Sequence, residues 1–159
     1  MGNAIVAQEK GRNNVGDIDC QRWYRNGRPH RDGDLPAVVC SDGLQRWYKN
    51  ACLHRDTDLP AVVGADGHQK WYKNGTIHRD GDRPAIIRAN GQREWFTHGK
   101  IHRDGDRPAI IRANGQQEWY QNGKLHRAEN KPAIVTNYGR EMFYEHGIQY
   151  DNSKPYEKK

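Results

Sequence analysis

The sequence predicts an all-β protein, an elongated single-layer antiparallel β-meander built from 24-residue hairpin repeats. Three observations support this prediction. Aromatic, histidine and proline residues recur with a fixed period of 24. Asn-Gly dipeptides, which favour tight hairpin turns, separate short segments rich in aromatic and β-branched residues. No stretch of the repeats shows the 3.6-residue apolar period of a helix. The predicted organisation is a half-repeat cap over residues 1–20, five repeats over residues 21–140, and a degenerate cap repeat with a basic tail over residues 141–159.

Several residue types occupy fixed positions in the repeat, and we call the residues that share a position a ladder. The Trp ladder is Trp23, Trp47, Trp71, Trp95 and Trp119, with Phe143 next. The Tyr ladder follows it directly, as Tyr24, Tyr48, Tyr72, Phe96, Tyr120 and Tyr144. The Arg ladder is Arg31, Arg55, Arg79, Arg103 and Arg127, and the residues before it form the His ladder, His30, His54, His78, His102 and His126. A fixed period of this length indicates a repeat protein, stabilised mainly by contacts between neighbouring repeats.

One repeat, residues 69–92, illustrates the predicted local structure. Asn74-Gly75 predicts a type I′ turn, in which both central residues have positive φ. Asn90-Gly91 predicts a second turn of the same type. Between the two turns, residues 80–84 form a bend, because the proline that ends this segment removes a backbone donor. Each repeat therefore adds a hairpin to the one before it.

The alternation of side chains along a strand predicts which residues face a partner. Trp71 and Tyr72 are adjacent, so they point to opposite sides of the sheet. The chain has too few aliphatic residues to bury both sides, and one aromatic ladder therefore stays partly exposed. We expect the Trp, Tyr and Arg ladders to form the interaction surface.

Composition and charge limit the class of protein. The chain has 159 residues, of which 34% are hydrophobic, and a formal net charge of +6. The positive charge permits nucleic acid or anionic lipid as a partner. It requires neither, because the 26 Lys and Arg residues are interspersed with 20 Asp and Glu residues. Cys20, Cys40 and Cys52 show no CxxC spacing and are expected to be reduced thiols. Without a secretion leader or transmembrane stretch, we expect the protein inside a cell (the host cytoplasm) or in a virion.

The candidate chemical sites favour structural roles. Successive His ladder residues lie about 10 Å apart, two strand spacings, which is too far to share a metal ion. We expect each His to pack against Trp and to bond a turn carbonyl. The Asp-x-Asp pairs lack the further ligands of a calcium loop, and we expect them to cap turns and pair with Arg of a neighbouring repeat. No nucleophile motif or phosphate loop occurs, so the sequence predicts no enzyme, no metal and no cofactor.

The pattern of Trp71, Asn74-Gly75, His78 and Asn90-Gly91 resembles the MORN repeat (membrane occupation and recognition nexus). The resemblance covers roughly residues 21–150. His-Arg stands where that family prefers His-Gly, and Asp-x-Pro-Ala replaces its Gly-x-Gly stretch. The sequence motif HRDGDxPA is similar to variant repeats of giant DNA viruses of amoebae, the marseillevirus type especially. The resemblance implies an elongated antiparallel β ribbon with an interaction or scaffolding role.

Three classes of partner remain open at this point. The first is a protein, either another chain or a second copy, for a scaffold such as a virion or capsid-associated component; Trp, Tyr and Arg are common anchors of protein interfaces. The second is nucleic acid, which the Arg ladder and aromatic faces would contact. The third is an anionic membrane surface, reached through the Arg ladder and the basic tail. The protein class is preferred, because Asp residues one and three positions after each of the first four Arg ladder residues neutralise much of the basic track.

Overall fold

The computed structural model describes residues 5–10 and 18–153. Within these residues there is no helix, and all regular structure is antiparallel β, which confirms the predicted fold class. The described residues accordingly contain no helix that could cross a membrane. The chain divides into two compact units, one that ends at His78 and one that begins at Arg79.

The first unit contains one sheet in the order β1-β2-β4-β5-β8-β9, with β3 paired to β2, and two separate hairpins, β6-β7 and β10-β11. Its strands are β1 Ile5–Lys10, β2 Asp19–Arg25, β3 Arg28–Pro29, β4 Val38–Cys40, β5 Gln45–Arg46, β6 Tyr48–Lys49, β7 Cys52–Leu53, β8 Val62–Val63, β9 Gln69–Lys70, β10 Tyr72–Lys73 and β11 Thr76–Ile77.

The second unit repeats this plan, with a sheet in the order β12-β13-β16-β17-β20-β21-β22 and the hairpins β14-β15 and β18-β19. Its strands are β12 Ile86–Ile87, β13 Arg93–Glu94, β14 Phe96–Thr97, β15 Lys100–Ile101, β16 Ile110–Ile111, β17 Gln117–Glu118, β18 Tyr120–Gln121, β19 Lys124–Leu125, β20 Ile134–Val135, β21 Glu141–Glu145 and β22 Ile148–Tyr150.

Each interior repeat contributes four short strands rather than one longer hairpin, as the segment from β12 to β15 shows. Trp95 separates β13 from β14, which would otherwise form one continuous strand. The Trp95 N–H donates to the carbonyl of Ala109 at 2.8 Å. Pro108 precedes Ala109 and has no N–H, so regular pairing with β16 cannot continue past this point. The residues after Trp95 pair instead within their own hairpin, β14-β15.

The two predicted turns differ from each other. Asn74 and Gly75 have φ values of 51° and 82°, as a type I′ turn requires, and this prediction is confirmed. The prediction for Asn90-Gly91 is wrong, because only Gly91 has positive φ (86°). Here the N–H of Arg88 donates to the Gln92 carbonyl and that of Gly91 to the Arg88 carbonyl, both at 2.9 Å. Asn90 accepts the N–H of Gln92 through its side chain instead of taking a left-handed backbone.

The core is a line of small and large apolar residues that recur once per repeat. The ladder prolines also recur once per repeat, as Pro36, Pro60, Pro84, Pro108 and Pro132. The alanine that follows each of them has no exposed surface, and these are Ala37, Ala61, Ala85, Ala109 and Ala133. The β-branched residues after them are also buried, as are four of the Trp ladder residues. The same short motif therefore builds the core of both units.

The expectation of three reduced thiols is wrong for two of them. Cys20 and Cys40 face each other directly across the antiparallel pair β2-β4 and form a disulfide, while Cys52 is free and exposed. The sequence separation of 20 residues gave no sign of this pairing, because the strand register, and not a local motif, brings the two side chains together.

Candidate interaction surface

The Arg ladder joins neighbouring repeats, as Arg103 shows. Its guanidinium lies over the Trp95 ring, with Cζ 3.9 Å from the ring centroid. Nε and Nη2 donate to the two carboxylate oxygens of Asp82 in the preceding repeat, at 2.6 and 2.9 Å. Nη1 donates to the carbonyl of Pro108 at 3.0 Å. One face and all three nitrogens of this guanidinium therefore contact other residues of the same chain. The Arg103 side chain is only 13% exposed.

The same arrangement recurs in both units. In the first unit, Arg55 bonds both carboxylate oxygens of Asp34, at 2.9 and 2.8 Å, and stacks on Trp47 at 3.9 Å. In the second unit, Arg127 does so with Asp106 and Trp119. Arg31 stacks on Trp23, and Arg31 and Arg79 each donate to the carbonyl of their own ladder proline. The prediction that Asp pairs with Arg of a neighbouring repeat is confirmed.

These pairs lower the pKa of the carboxylates that they involve. The hydrogen bond from Arg55 lowers the pKa of Asp34, and the bond from Arg103 lowers that of Asp82. Asp106 accepts hydrogen bonds from Arg127 and from Lys131, which together lower its pKa to about 2. The carboxylates remain charged to low pH because their charged form receives the hydrogen bonds.

The lowered pKa of Asp106 predicts an acid-dependent loss of stability. A carboxyl whose folded pKa lies below its unfolded pKa stabilises the fold above the unfolded value, 3.8, and loses that contribution as pH falls through the folded value, about 2. We expect the free energy of unfolding to fall less between pH 4 and pH 2.5 in Asp106→Asn than in the natural chain. Urea denaturation at pH 4 and pH 2.5 measures this difference. An equal pH dependence in the variant and the natural chain would contradict it.

The His ladder links each repeat to the next one. Nε2 of His102 lies 2.9 Å from Oδ1 of Asp104, and Nδ1 accepts the backbone N–H of Asn122, in the turn of the next repeat, at 3.1 Å. His54 makes the equivalent contacts. Because Nδ1 accepts a backbone N–H, Nε2 carries the proton and donates to the carboxylate. The predicted bond to a turn carbonyl is wrong, since the turn group that these histidines contact is an N–H.

The Trp ladder lies inside the chain. Trp47, Trp71, Trp95 and Trp119 are buried, whereas Trp23 is half-buried. In the first unit the indole N–H groups of Trp47 and Trp71 each donate at 3.0 Å to the carbonyl of an aspartate in the preceding bend, Asp34 or Asp58. These two aspartates have left-handed backbones, with φ values of 53° and 56°.

Two bends of the second unit, residues 80–84 and 104–108, have a different conformation, whereas Asn130 in the third bend is left-handed like Asp34 and Asp58, with a φ of 53°. Asp82 and Asp106 are not left-handed, and the N–H of Arg107 bonds the carbonyl of Gly105 at 2.7 Å. Arginine replaces the leucine of the first-unit bends, and the guanidinium of Arg107 bonds the Asp104 carbonyl. In the part of the chain that the structure describes, the buried indole N–H groups of Trp95 and Trp119 have no acceptor.

The Tyr ladder is the most accessible of the aromatic ladders. Tyr24, Tyr48, Tyr72 and Tyr120 are all half-buried, and Phe96 shares this environment. Each pairs across its hairpin with an apolar residue, and the pairs are Tyr24 with Pro29, Tyr48 with Leu53, Tyr72 with Ile77, Phe96 with Ile101 and Tyr120 with Leu125. The result within each unit is a partly exposed row of aromatic and aliphatic side chains.

Two buried carboxylates were missed by the sequence reasoning. Glu118 is 2% exposed, receives hydrogen bonds from Arg112 and Gln116, and accepts the hydroxyl of Tyr120 at 3.2 Å. Burial, together with the Glu118 charge, raises the pKa of Tyr120 to about 12. Glu94 is surrounded similarly, by Arg88 and Gln92.

A comparison of the repeats with one another contains the signal for these carboxylates. The residue before Trp is basic in the first three repeats and acidic in the next two, in the order Arg22, Arg46, Lys70, Glu94 and Glu118. Arginine appears six residues earlier only in the two acidic repeats, as Arg88 and Arg112. When one position becomes acidic only in the repeats in which a second position becomes arginine, the two side chains are expected to be in contact.

Comparisons of the chain with family models, curated proteins and solved structures found no significant match. The geometry of the ladders is therefore the basis for a functional proposal. Of the predicted interaction residues, four Trp are buried and the Arg residues are engaged in contacts within the chain, while the Tyr residues keep part of their surface accessible.

Proposed function

We propose that the protein is a non-catalytic repeat scaffold that binds protein, either another chain or a second copy. The observation that supports this proposal is the half-buried, partly accessible Tyr ladder with its aliphatic cross-strand partners. Large aromatic side chains on a rigid element are frequent anchors of protein interfaces, and their burial supplies an apolar driving force. The resemblance to repeats of giant DNA viruses makes a virion or capsid component the first partner to test.

The contacts of the Arg ladder argue against nucleic acid as the main partner. A phosphate backbone is bound by accessible Lys and Arg side chains. Arg55, Arg103 and Arg127 are 13–17% exposed, and each already holds a carboxylate at hydrogen-bond distance. Binding a phosphate would require these pairs to separate. The same argument applies to an anionic membrane surface.

The proposal is tested by measuring mass and nucleic-acid binding at two salt concentrations. We expect light scattering to detect a protein complex, homomeric or with a virion component, that persists from 0.1 to 1 M salt, because apolar burial is not screened. A protein that stays monomeric, and binds duplex or single-stranded nucleic acid in a strongly salt-sensitive way, would contradict the proposal.

A pair of double variants identifies the surface. Tyr48→Thr with Tyr72→Thr removes two aromatic rings but keeps residues that favour strands. We expect this variant to weaken the complex at least tenfold. The matched control, Lys49→Thr with Lys73→Thr, changes the exposed neighbours in the same two strands and should leave the affinity unchanged. Equal effects of the two variants would show that the Tyr ladder is not the binding surface.

A further inference from the structure

The fifth repeat differs from the other four at the position two residues after its histidine. Four repeats have an aspartate there and the fifth has an alanine, in the order Asp32, Asp56, Asp80, Asp104 and Ala128. His30, His54 and His102 each hold this carboxylate at 2.9–3.0 Å from Nε2. A methyl group stands at the equivalent position beside His126. The fifth repeat therefore lacks the aspartate carboxylate that accepts from Nε2 of these other histidines.

The other ring nitrogen of His126 fixes which nitrogen is protonated. Nδ1 accepts the backbone N–H of His146 at 3.4 Å, and the two imidazole rings stack with their centroids 4.3 Å apart. Burial and the neighbouring His146 lower the pKa of His126, against the opposing effect of Glu145. The neutral ring therefore carries its proton on Nε2. Among the residues that the structure describes, none accepts a hydrogen bond from this nitrogen.

A pocket of about 280 Å³ lies beside this donor, within the second unit. Its lining includes His126, Ala128 and Trp119. The indole N–H of Trp119 is buried, and it too lacks an acceptor in residues 18–153. His126 therefore offers the pocket an Nε2–H donor, and at His30, His54 and His102 the same nitrogen contacts a carboxylate oxygen. The fifth repeat leaves this donor open to an acceptor oxygen from outside the chain.

The charges around the pocket select the class of ligand. Lys131 lies on the lining with its side chain 41% exposed, bonded to Asp106 and Glu129, and supplies positive charge. The lining also carries Arg103, Arg107 and Arg127 against Asp104, Asp106 and Glu129, so with Lys131 it has four cations and three anions. This excess of one positive charge matches a singly charged group better than a doubly charged one such as phosphate. A singly charged carboxylate matches both the charge and the group that other repeats place at this position.

We propose that this pocket binds a carboxylate, which accepts the Nε2–H of His126 in the place that aspartate occupies in the other repeats. The carboxylate belongs either to a small free acid or to an acidic side chain of a protein. This inference is tested separately from the proposed function, because Tyr48 and Tyr72, which the double variant changes, are not among the residues that line the pocket.

The test is a titration of the full ¹⁵N-labelled chain at pH 7, with sodium acetate in one arm and N-acetyl-aspartyl amide in the other, each at constant ionic strength. We expect saturable shifts of the His126 imidazole and Trp119 indole signals in at least one arm. Shifts with acetate indicate that a free acid suffices, and shifts with the aspartyl compound alone indicate a protein side chain as the source.

The repeat itself provides the control variants. Ala128→Asp restores the aspartate of the other repeats, and we expect it to weaken binding at least tenfold, because its own carboxylate occupies the site. Asp104→Ala removes the carboxylate from His102, whose ring lines the same pocket, and should add shifts of that ring to those of His126. The proposal is overturned if neither compound shifts His126, or if Ala128→Asp binds as strongly as the natural chain.

Discussion

Trp47→Ala is expected to lower the free energy of unfolding by about 3–5 kcal/mol, the usual cost of truncating a buried Trp to Ala. The Trp47 ring is buried, carries the guanidinium of Arg55 on its face at 3.9 Å, and donates its indole N–H to Asp34 of the preceding repeat. Truncation removes all three interactions and leaves a cavity between two repeats. Urea denaturation monitored by far-ultraviolet circular dichroism measures the loss.

The matched control lies in the same unit and changes the same residue type. Trp23 also stacks with an arginine but is only half-buried, so Trp23→Ala should cost distinctly less. Trp47→Phe should fall between the two, because it keeps a ring in the core but loses the indole donor. Equal losses from Trp47→Ala and Trp23→Ala would contradict a core built from contacts between neighbouring repeats.

The general fold could be predicted from the sequence because its signals are repeated. The 24-residue period and the Asn-Gly turns indicate hairpins, and the structure confirms an antiparallel all-β chain with a type I′ turn at Asn74-Gly75. The interruption of strands at Trp was missed. It depends on Pro108 lying opposite the residue after Trp95, and such a register is known only once the strands are paired.

The predictions that failed concern the pairing of distant strands, the geometry of one turn and the packing of repeats. The Cys20–Cys40 disulfide depends on the register of β2 against β4. The turn at Asn90-Gly91 was misassigned because the same dipeptide occurs in two kinds of hairpin, and the number of residues between the paired strands decides which one forms. For the candidate site, the pairing of Arg with Asp was predicted, but which of the Trp and Tyr ladders is buried was left open, because it depends on how closely repeats pack.

Arg55→Ala is expected to cost about 2–4 kcal/mol, the second largest effect that we predict. A charge-assisted hydrogen bond contributes about 1.5–3 kcal/mol and a cation–π contact about 0.5–2 kcal/mol, and Arg55 makes both kinds of contact. Solvent reduces the electrostatic part, because the side chain of Asp34 is 51% exposed. Arg55→Lys should recover less than half of the loss, since an ammonium group cannot bond both carboxylate oxygens and stack on Trp47 at once.

A double-mutant cycle separates the ion pair from the stacking. Asp34→Asn removes the charge, and the left-handed backbone at this position tolerates asparagine. We expect Arg55→Ala and Asp34→Asn to be non-additive by about 1–2 kcal/mol, because both residues belong to one contact. Lys49 and Asp56 provide the matched control in the same unit, as an ion pair with both side chains more than half exposed. The control cycle should show no measurable coupling. If the two cycles gave the same result, the Arg ladder would be a surface feature, and the joining of repeats would depend on the Trp ladder and the backbone alone.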